Sequence, residues 1–192
     1  MKYFFTSDYH LGHKNIIGYC NRPFKSLREM NNTIIKNHNS RVKENDVVFH
    51  IGDFCFKNSP GGKEGEGGQF KADSYQKILN GNMVFLKGNH DSNNSLKTII
   101  NHLEIEHGGR KIFLTHRPDD ANLTYQINFV GHVHHAWKFK FFPKEKGGMG
   151  VDTILINVGV DVWRFMPVTF EEIINAMQKW MKENNIKFKG EE

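Results

Sequence analysis

Apolar positions along this chain gather into short β-prone runs that stop abruptly on polar residues. Residues 2–7 (KYFFTS) form one such run and lead straight into Asp8-Tyr9-His10. That is the pattern of a buried strand delivering polar side chains at its C-terminal end. It recurs at 46–51 before Gly52-Asp53, at 83–87 before Gly88-Asn89-His90-Asp91, at 111–115 before His116, and at 127–130 before Gly131-His132-Val133-His134. Two further strands are predicted, at 137–142 (WKFKFF, alternating) and at 153–157, with a loose hairpin turn over 144–150 between them. Helical periods are fewer. Ser26-Leu27-Arg28-Glu29 fits an S-x-x-E capping box, and Leu27, Met30, Ile34 and Val42 supply the apolar stripe behind it. Residues 72–79 read as a short helix. Thr169 caps a last helix to about Glu183, with Phe170, Ile173, Ile174, Met177, Trp180 and Met181 facing inward. The tail at 186–192 is expected to fray, and the Gly-rich stretch 57–71 to be a surface insertion or a flap near a site.

Length and composition narrow the class without naming a function. At 192 residues, one domain spanning 1–192 is the default, since chains divide only every ~100–200 residues. Lys+Arg 26 against Asp+Glu 21 gives +5, a mild bias toward anions but not a nucleic-acid signature. No apolar run is long enough to cross a bilayer, and the N-terminus turns polar too soon for a signal peptide, so the expected address is the cytoplasm. Cys20 and Cys55 lie far apart and form no CxxC, so buried free thiols are expected. The 16 phenylalanines are scattered through strand patterns, and no Walker loop, nucleophile elbow or dinucleotide fingerprint occurs. Eleven histidines are an excess. Their placement at strand ends is what matters.

Taken singly, each of these strand-end groups is weak. Asp8-x-His10 and His132-x-His134 place pairs on one side of an extended chain, because side chains alternate with period two. Asp53 follows a glycine that permits a sharp turn, and Asn89-His90-Asp91 alone would read as an Asx turn. Together, Asp8, His10, Asp53, Asn89, His116, His132 and His134 offer two carboxylates, one amide oxygen and four imidazoles. Mixed N/O donors without sulfur suit Mn²⁺, Fe, Zn²⁺, Co²⁺ or Ni²⁺. Seven donors exceed one tetrahedral site and match two metals ~3.5–4 Å apart sharing a carboxylate. Such a pair is suited to hydrolysing a phosphoryl group.

The ordered set Asp8-x-His10, Gly52-Asp53, Gly88-Asn89-His90-Asp91, His116 and Gly131-His132-x-His134 closely resembles the calcineurin-like metallophosphoesterase superfamily. The opening TSDYHLGHKNIIGYCNRPF is similar to a small bacterial or phage branch of it. The resemblance implies an α/β fold: a four-layer α/β/β/α sandwich with two mixed β-sheets. It also implies that Asp8, His10 and His134 hold the first metal, Asp53 bridges, and Asn89, His116 and His132 hold the second, with Mn²⁺ the first choice. A hydroxide between the metals would attack phosphorus in line, while His90, not a ligand, would stabilise the transition state or protonate the leaving oxygen. Asp91 would orient a neighbour or open a helix. The block around His116 (Leu-Thr-His-Arg-Pro) lacks the glycine many members carry before this histidine.

His13, Arg22 and Arg117 are candidate phosphate contacts, guanidinium being suited to bidentate binding. His50 reads as a core histidine, His38, His102 and His107 as ordinary, and 157–161 as structural. The leading function is therefore a phosphodiesterase or phosphomonoesterase acting on small molecules or nucleotides, with a diester preferred. A nuclease using the same site is the second reading. A catalytically silent interaction module, like the phosphoesterase-fold subunit of retromer, is the third, and the filled ligand positions weigh against it.

Overall fold

A computed structural model describes residues 1–56, 71–92, 94, 96–144 and 150–188. The expected surface insertion and the turn before residue 150 therefore lie almost wholly outside the described residues. Two mixed sheets organise the rest. The first contains β1 (Tyr3–Thr6), β2 (Val47–Ile51), β3 (Asn82–Leu86) and β9 (Val168–Thr169), in the order β3-β2-β1-β9. Its first three strands run parallel, and β9 closes the edge antiparallel to β1. The second contains β4 (His102–His107), β5 (Arg110–Thr115), β6 (Ile127–Val130), β7 (Phe139–Phe142) and β8 (Thr153–Asn157), in the order β4-β5-β6-β8-β7. Here β5, β6 and β8 are parallel, flanked by antiparallel edges. The strands expected from the sequence are present within a residue or two at most ends. β4 and β9 are additions. The β4–β5 hairpin turns on Gly108-Gly109, both at positive φ (59° and 71°), the geometry a two-residue hairpin of this twist demands.

The two sheets face each other across one apolar slab. Phe5, Ile51 and Leu86 from the first meet Ile112, Leu114, Ile127, Phe129, Ile154 and Ile156 from the second. Phe5 stacks on Phe49 at 5.3 Å and meets the edge of Phe129 at 4.9 Å, joining the layers. Helix α4 (Phe170–Glu183) buries Phe170, Ile173 and Met177 into this same cluster. Its capping box is complete: Thr169 Oγ1 accepts from the Glu172 N–H at 3.3 Å and Glu172 Oε2 from the Thr169 N–H at 2.9 Å. The segment after it is not wholly frayed, because Phe188 tucks into the slab at 6% exposure. Burial of one aromatic ring outweighs the weak local propensity of the tail.

The opposite face of the first sheet carries α1 (Ile16–Tyr19), α2 (Leu27–Arg41) and α3 (Ala72–Gln76). Leu27, Met30 and Ile34 of α2 pack with Tyr9, Phe54, Ala72 and Tyr75, as the helical period requires. The α2 cap departs from the expected box by one residue. Ser26 Oγ accepts from the Glu29 N–H, but Glu29 reaches past Ser26 to accept from the Lys25 N–H at 2.7 Å. Cys20 and Cys55 are buried free thiols. Among the described residues no helix is long and apolar enough to cross a membrane.

His50 sits on the helix-covered face of β2, fully buried among the rings of Tyr9, Phe54 and Phe85. Neither ring nitrogen has a hydrogen-bond partner among the described residues. Burial, with positive charge at His38, pushes its pKa down to about 3. Unfolded, the imidazole titrates near 6.5, so its contribution is complete above that pH and is lost as pH falls toward 3.

Two outcomes follow for stability in urea. Phe5→Ala should cost roughly 3–5 kcal/mol, the range for a large buried aromatic. Between about pH 7.5 and about pH 5 the wild type should lose about 2 kcal/mol through His50 alone, at ~1.4 kcal/mol per pH unit below 6.5. His50→Leu should lack that component, and equal acid slopes in the two proteins would refute the assignment.

Candidate metal centre

Five parallel strand ends meet at one edge of the sandwich, where α/β sheets bind ligands. β1 delivers Asp8 and His10, β2 Asp53, β3 Asn89 and His90, β5 His116, and β6 His132 and His134. They form two clusters. Asp8, His10 and His134 offer donor atoms within 4.8 Å of one another, as do Asp53, His116 and His132. Asn89 adjoins the second cluster, its Oδ1 3.1 Å from His116 Nε2.

The local backbone differs from the extended arms that the period-two reading expects. Asp8, His10, Asp53, His132 and His134 all have left-handed φ, between 47° and 69°. Non-glycine residues rarely adopt that region, and strain of this kind collects at functional sites. One effect is that His132 and His134 do not converge on one face. They diverge into separate clusters.

Glycines let these tight turns pack against each other. A Cβ on Gly52 would collide with the His116 ring, one on Gly88 with Asp53, and one on Gly131 with Ser7 and Asp8. The Leu-Thr-His sequence before His116 does no harm, because the glycine that makes room for this ring is Gly52, just after β2 in the facing sheet. His116 Nδ1 lies 2.8 Å from the Ile51 carbonyl and donates to it, which leaves Nε2 facing Asp53.

Charge is concentrated here away from water. Asp8 and His10 are fully buried, and Asp53 and His116 nearly so. Asp53 Oδ2 stands 3.5 Å from His10 Nε2 and 3.3 Å from His116 Nε2, touching a member of each cluster. Its Oδ1 accepts from the His90 N–H at 2.8 Å. Burial alone would raise the Asp53 pKa, but the hydrogen bond and charge of His116, with His10 behind them, hold it well below the usual carboxylate range. His116 is correspondingly raised: burial works against its proton, and Asp53 and Asp8 overcome this to lift it to about 9. Burial likewise opposes a proton on His134, yet hydrogen bonds with Asp161 and Cys20 and the charge of Asp8 lift it to about 10. Burial pushes Asp8 up and His10 well down.

These residues fit bound cations. Two buried carboxylates face four imidazoles, and among the described residues His10 Nε2 is buried without a hydrogen-bond partner while aimed between Asp8 and Asp53. A buried anion and an unpartnered nitrogen on the same point are costly unless a cation satisfies both.

His90 is exposed at the rim, its ring 5.2 Å from His10 and 5.7 Å from His13. His13 stacks on Phe56 at 4.0 Å and brings Nδ1 to 3.3 Å from His10 Nδ1, on the side away from Asp53. Arg117 is half-exposed and 3.9 Å from Asp119. Its charge reaches His132. Arg22 corrects the sequence reading. Only 4% exposed, it binds Asp161, two backbone carbonyls and the Met30 sulfur, so its guanidinium is committed inside the protein and not offered to a phosphate.

Sequence reasoning undervalued two carboxylates. Asp91, 4% exposed, accepts from the Gly88, Asp53 and Phe54 N–H groups and from Asn94 Nδ2, stapling the second and third ligand turns together. Asp161 accepts from His134 Nδ1 at 3.0 Å. The signal for Asp91 was its place after Gly-Asn-His; for Asp161 it was only an acidic residue closing a late strand.

Comparison with known proteins agrees with this geometry. An uncharacterized protein of Methanocaldococcus jannaschii is 35% identical over 186 residues, covering 93% of this chain and 92% of the relative. A crystal structure of a protein of unknown function from Aquifex aeolicus shares the fold at a TM-score of 0.63 and 24% identity, over 91% of this chain and 98% of that one. The family model for the calcineurin-like phosphoesterase superfamily domain matches residues 1–166. With a match across most of its length and the family's motif residues gathered where strand ends of both sheets meet, the chain belongs to the calcineurin-like phosphoesterase superfamily.

Proposed function

We propose that this protein is a dimetal phosphodiesterase. The observation that carries the reading is Asp53, whose single Oδ2 lies within 3.5 Å of a ligand from each cluster, where a bridging carboxylate must stand. Asp8, His10 and His134 would hold one divalent cation, and Asn89, His116 and His132 the other, with Asp53 shared. Mn²⁺ is the first choice for this nitrogen–oxygen set, and Fe, Zn²⁺, Co²⁺ and Ni²⁺ suit the same donors. Two such cations supply a water acidified toward neutral pH and neutralise the charge of a phosphoryl group.

The chain's own residues do the rest. His90, exposed beside the clusters, is held at its backbone by Asp53 Oδ1 while its ring stays free to face the leaving oxygen. There an imidazolium would donate its proton as the P–O bond breaks, a role worth ~10²–10⁴ in rate. Arg117 stands next to His116 with its guanidinium half in solvent, suited to a phosphoryl oxygen. His13 acts behind His10, fixing that ring through the Nδ1 contact. A diester of a small molecule or nucleotide is the substrate class we favour over a monoester.

The test uses Mn²⁺-loaded protein with bis-p-nitrophenyl phosphate and p-nitrophenyl phosphate. Diester turnover should exceed monoester turnover, should vanish in Asp53→Asn with loss of cation, and should fall about 10²–10⁴-fold in His90→Gln with both cations retained. Faster monoester turnover would make the protein a phosphatase. Two bound cations without turnover of any phosphoester in a broad panel would sink the enzymatic reading. Binding to DNA or RNA that weakens steeply with salt, accompanied by strand cleavage, would identify a nuclease.

A further inference from the structure

A buried ion pair lies behind the first cluster and touches none of the second. Arg22 Nε donates to Asp161 Oδ1 at 2.8 Å and Nη2 to Asp161 Oδ2 at 2.9 Å, a bidentate clamp between residues 139 apart in sequence. Both side chains are almost fully buried, at 0% and 3% exposure. Arg22 Nη2 also donates to the Asp8 carbonyl at 2.7 Å, and Nη1 to the Tyr9 carbonyl at 3.1 Å. Asp161 Oδ2 in turn accepts from His134 Nδ1 at 3.0 Å. One guanidinium therefore grips the backbone of Asp8 and, through Asp161, the ring of His134.

Stability alone is a poor account of this arrangement. Buried ion pairs contribute little net stability, and apolar replacements of similar volume are often as stable. Three features suggest a different task. The strained turn that carries Asp8, at φ 59°, is held by Arg22 at the carbonyl that follows its side chain. Donating from Nδ1 to Asp161 commits His134 to the tautomer with its proton there, leaving Nε2 free to bind a cation. And a carboxylate behind an imidazole raises its strength as a ligand, an effect worth ~10–100-fold in metal affinity. His116 in the second cluster has only the Ile51 backbone carbonyl in the corresponding place.

The geometry points to Arg22 and Asp161 as positioning residues for the first cation alone, setting the tautomer of His134 and the placement of Asp8. This inference rests on the dimetal reading above, and it adds an inequivalence: His134 of one site is backed by an ion pair, His116 of the other by a backbone carbonyl.

Equilibrium Mn²⁺ binding and electron paramagnetic resonance test it with the full chain. The wild type should bind two Mn²⁺ and give the signal of a spin-coupled pair. Asp161→Asn should weaken one cation about 10–100-fold and leave the other unchanged, so that an isolated six-line Mn²⁺ signal appears at one ion per chain. Arg22→Met combined with Asp161→Asn removes both charges and guards against misfolding from an unpaired buried arginine. It should show the same selective loss with an unchanged circular dichroism spectrum. In a His134→Ala background, Asp161→Asn should add less than it does in the wild type, because only the route through Arg22 and Asp8 remains. In a His132→Ala background, it should weaken the cation that remains. Unchanged affinities in a folded variant, or equal weakening of both sites, would overturn the inference while leaving the dimetal reading intact. A wild type that binds fewer than two cations would overturn the dimetal reading itself.

Discussion

Everything at the site edge follows from burying the charge of Asp53. A carboxylate taken from water into a protein interior loses several kcal/mol of solvation unless charges and hydrogen bonds replace it. Here Oδ2 faces two imidazoles and Oδ1 accepts the His90 N–H. Those partners come from three different strands, so satisfying one anion requires three chain segments to approach within hydrogen-bonding distance. Such an approach leaves no room for side chains at the crossing points. Gly52 and Gly88 occupy two of them, each facing a group that a Cβ would strike. The glycine before each of these acidic or amide residues is therefore part of the electrostatic solution, not only a turn signal.

The strain this imposes has to be held by something rigid. Five ligand candidates sit at left-handed φ, a conformation that costs of order 1 kcal/mol or more for each such residue. Two devices hold them. The first is the apolar slab between the sheets, which fixes the strand ends from which the candidate ligands spring. The second is a set of buried side chains that grip the backbone. Asp91 gathers three N–H groups from two ligand turns, Ser7 Oγ donates to the Ile51 carbonyl at 2.7 Å, and Asn157 Nδ2 donates to the His134 and Trp137 carbonyls. Both devices hold the site with the chain's own groups, which is what preorganised charge stabilisation requires.

This division also decides what could be read from the sequence. Strands ending on Asp8, Asp53, Asn89, His116 and His132 were legible because each is a short local pattern, and so was the stripe of α2. The turns themselves were not. Period-two alternation puts Asp8 beside His10 and His132 beside His134, but the backbone leaves the extended region at those very residues. Nor was the partner of Arg22 legible, since nothing local to residue 22 points to residue 161. A surface arginine and a buried one look alike until the fold brings a carboxylate to them. β4 was overlooked because its alternation, HLEIEH, mixes charged and apolar residues on an edge strand, although the Gly108-Gly109 turn after it is a recognisable hairpin signal. Phe188 was misjudged for a similar reason. Its burial depends on where α4 ends relative to the slab, not on its neighbours in sequence.

The depth of each residue then separates chemistry from selectivity. At the floor, Asp8, His10, Asp53 and His116 are buried, and replacing Asp53 or His116 leaves a buried partner unpaired. At the rim, Arg117 and Tyr19 are exposed, and Tyr19 lies 6.2 Å from the His13 ring with 72% of its surface open. Exchange of such rim residues usually changes stability by no more than about 0.5 kcal/mol. A fold built this way can keep its floor of candidate metal ligands fixed while exposed positions such as Tyr19 vary, and that is why the floor identifies the superfamily but not the substrate. The same gradient explains why the motifs speak so clearly of phosphoryl chemistry and so little of what is attached to the phosphate.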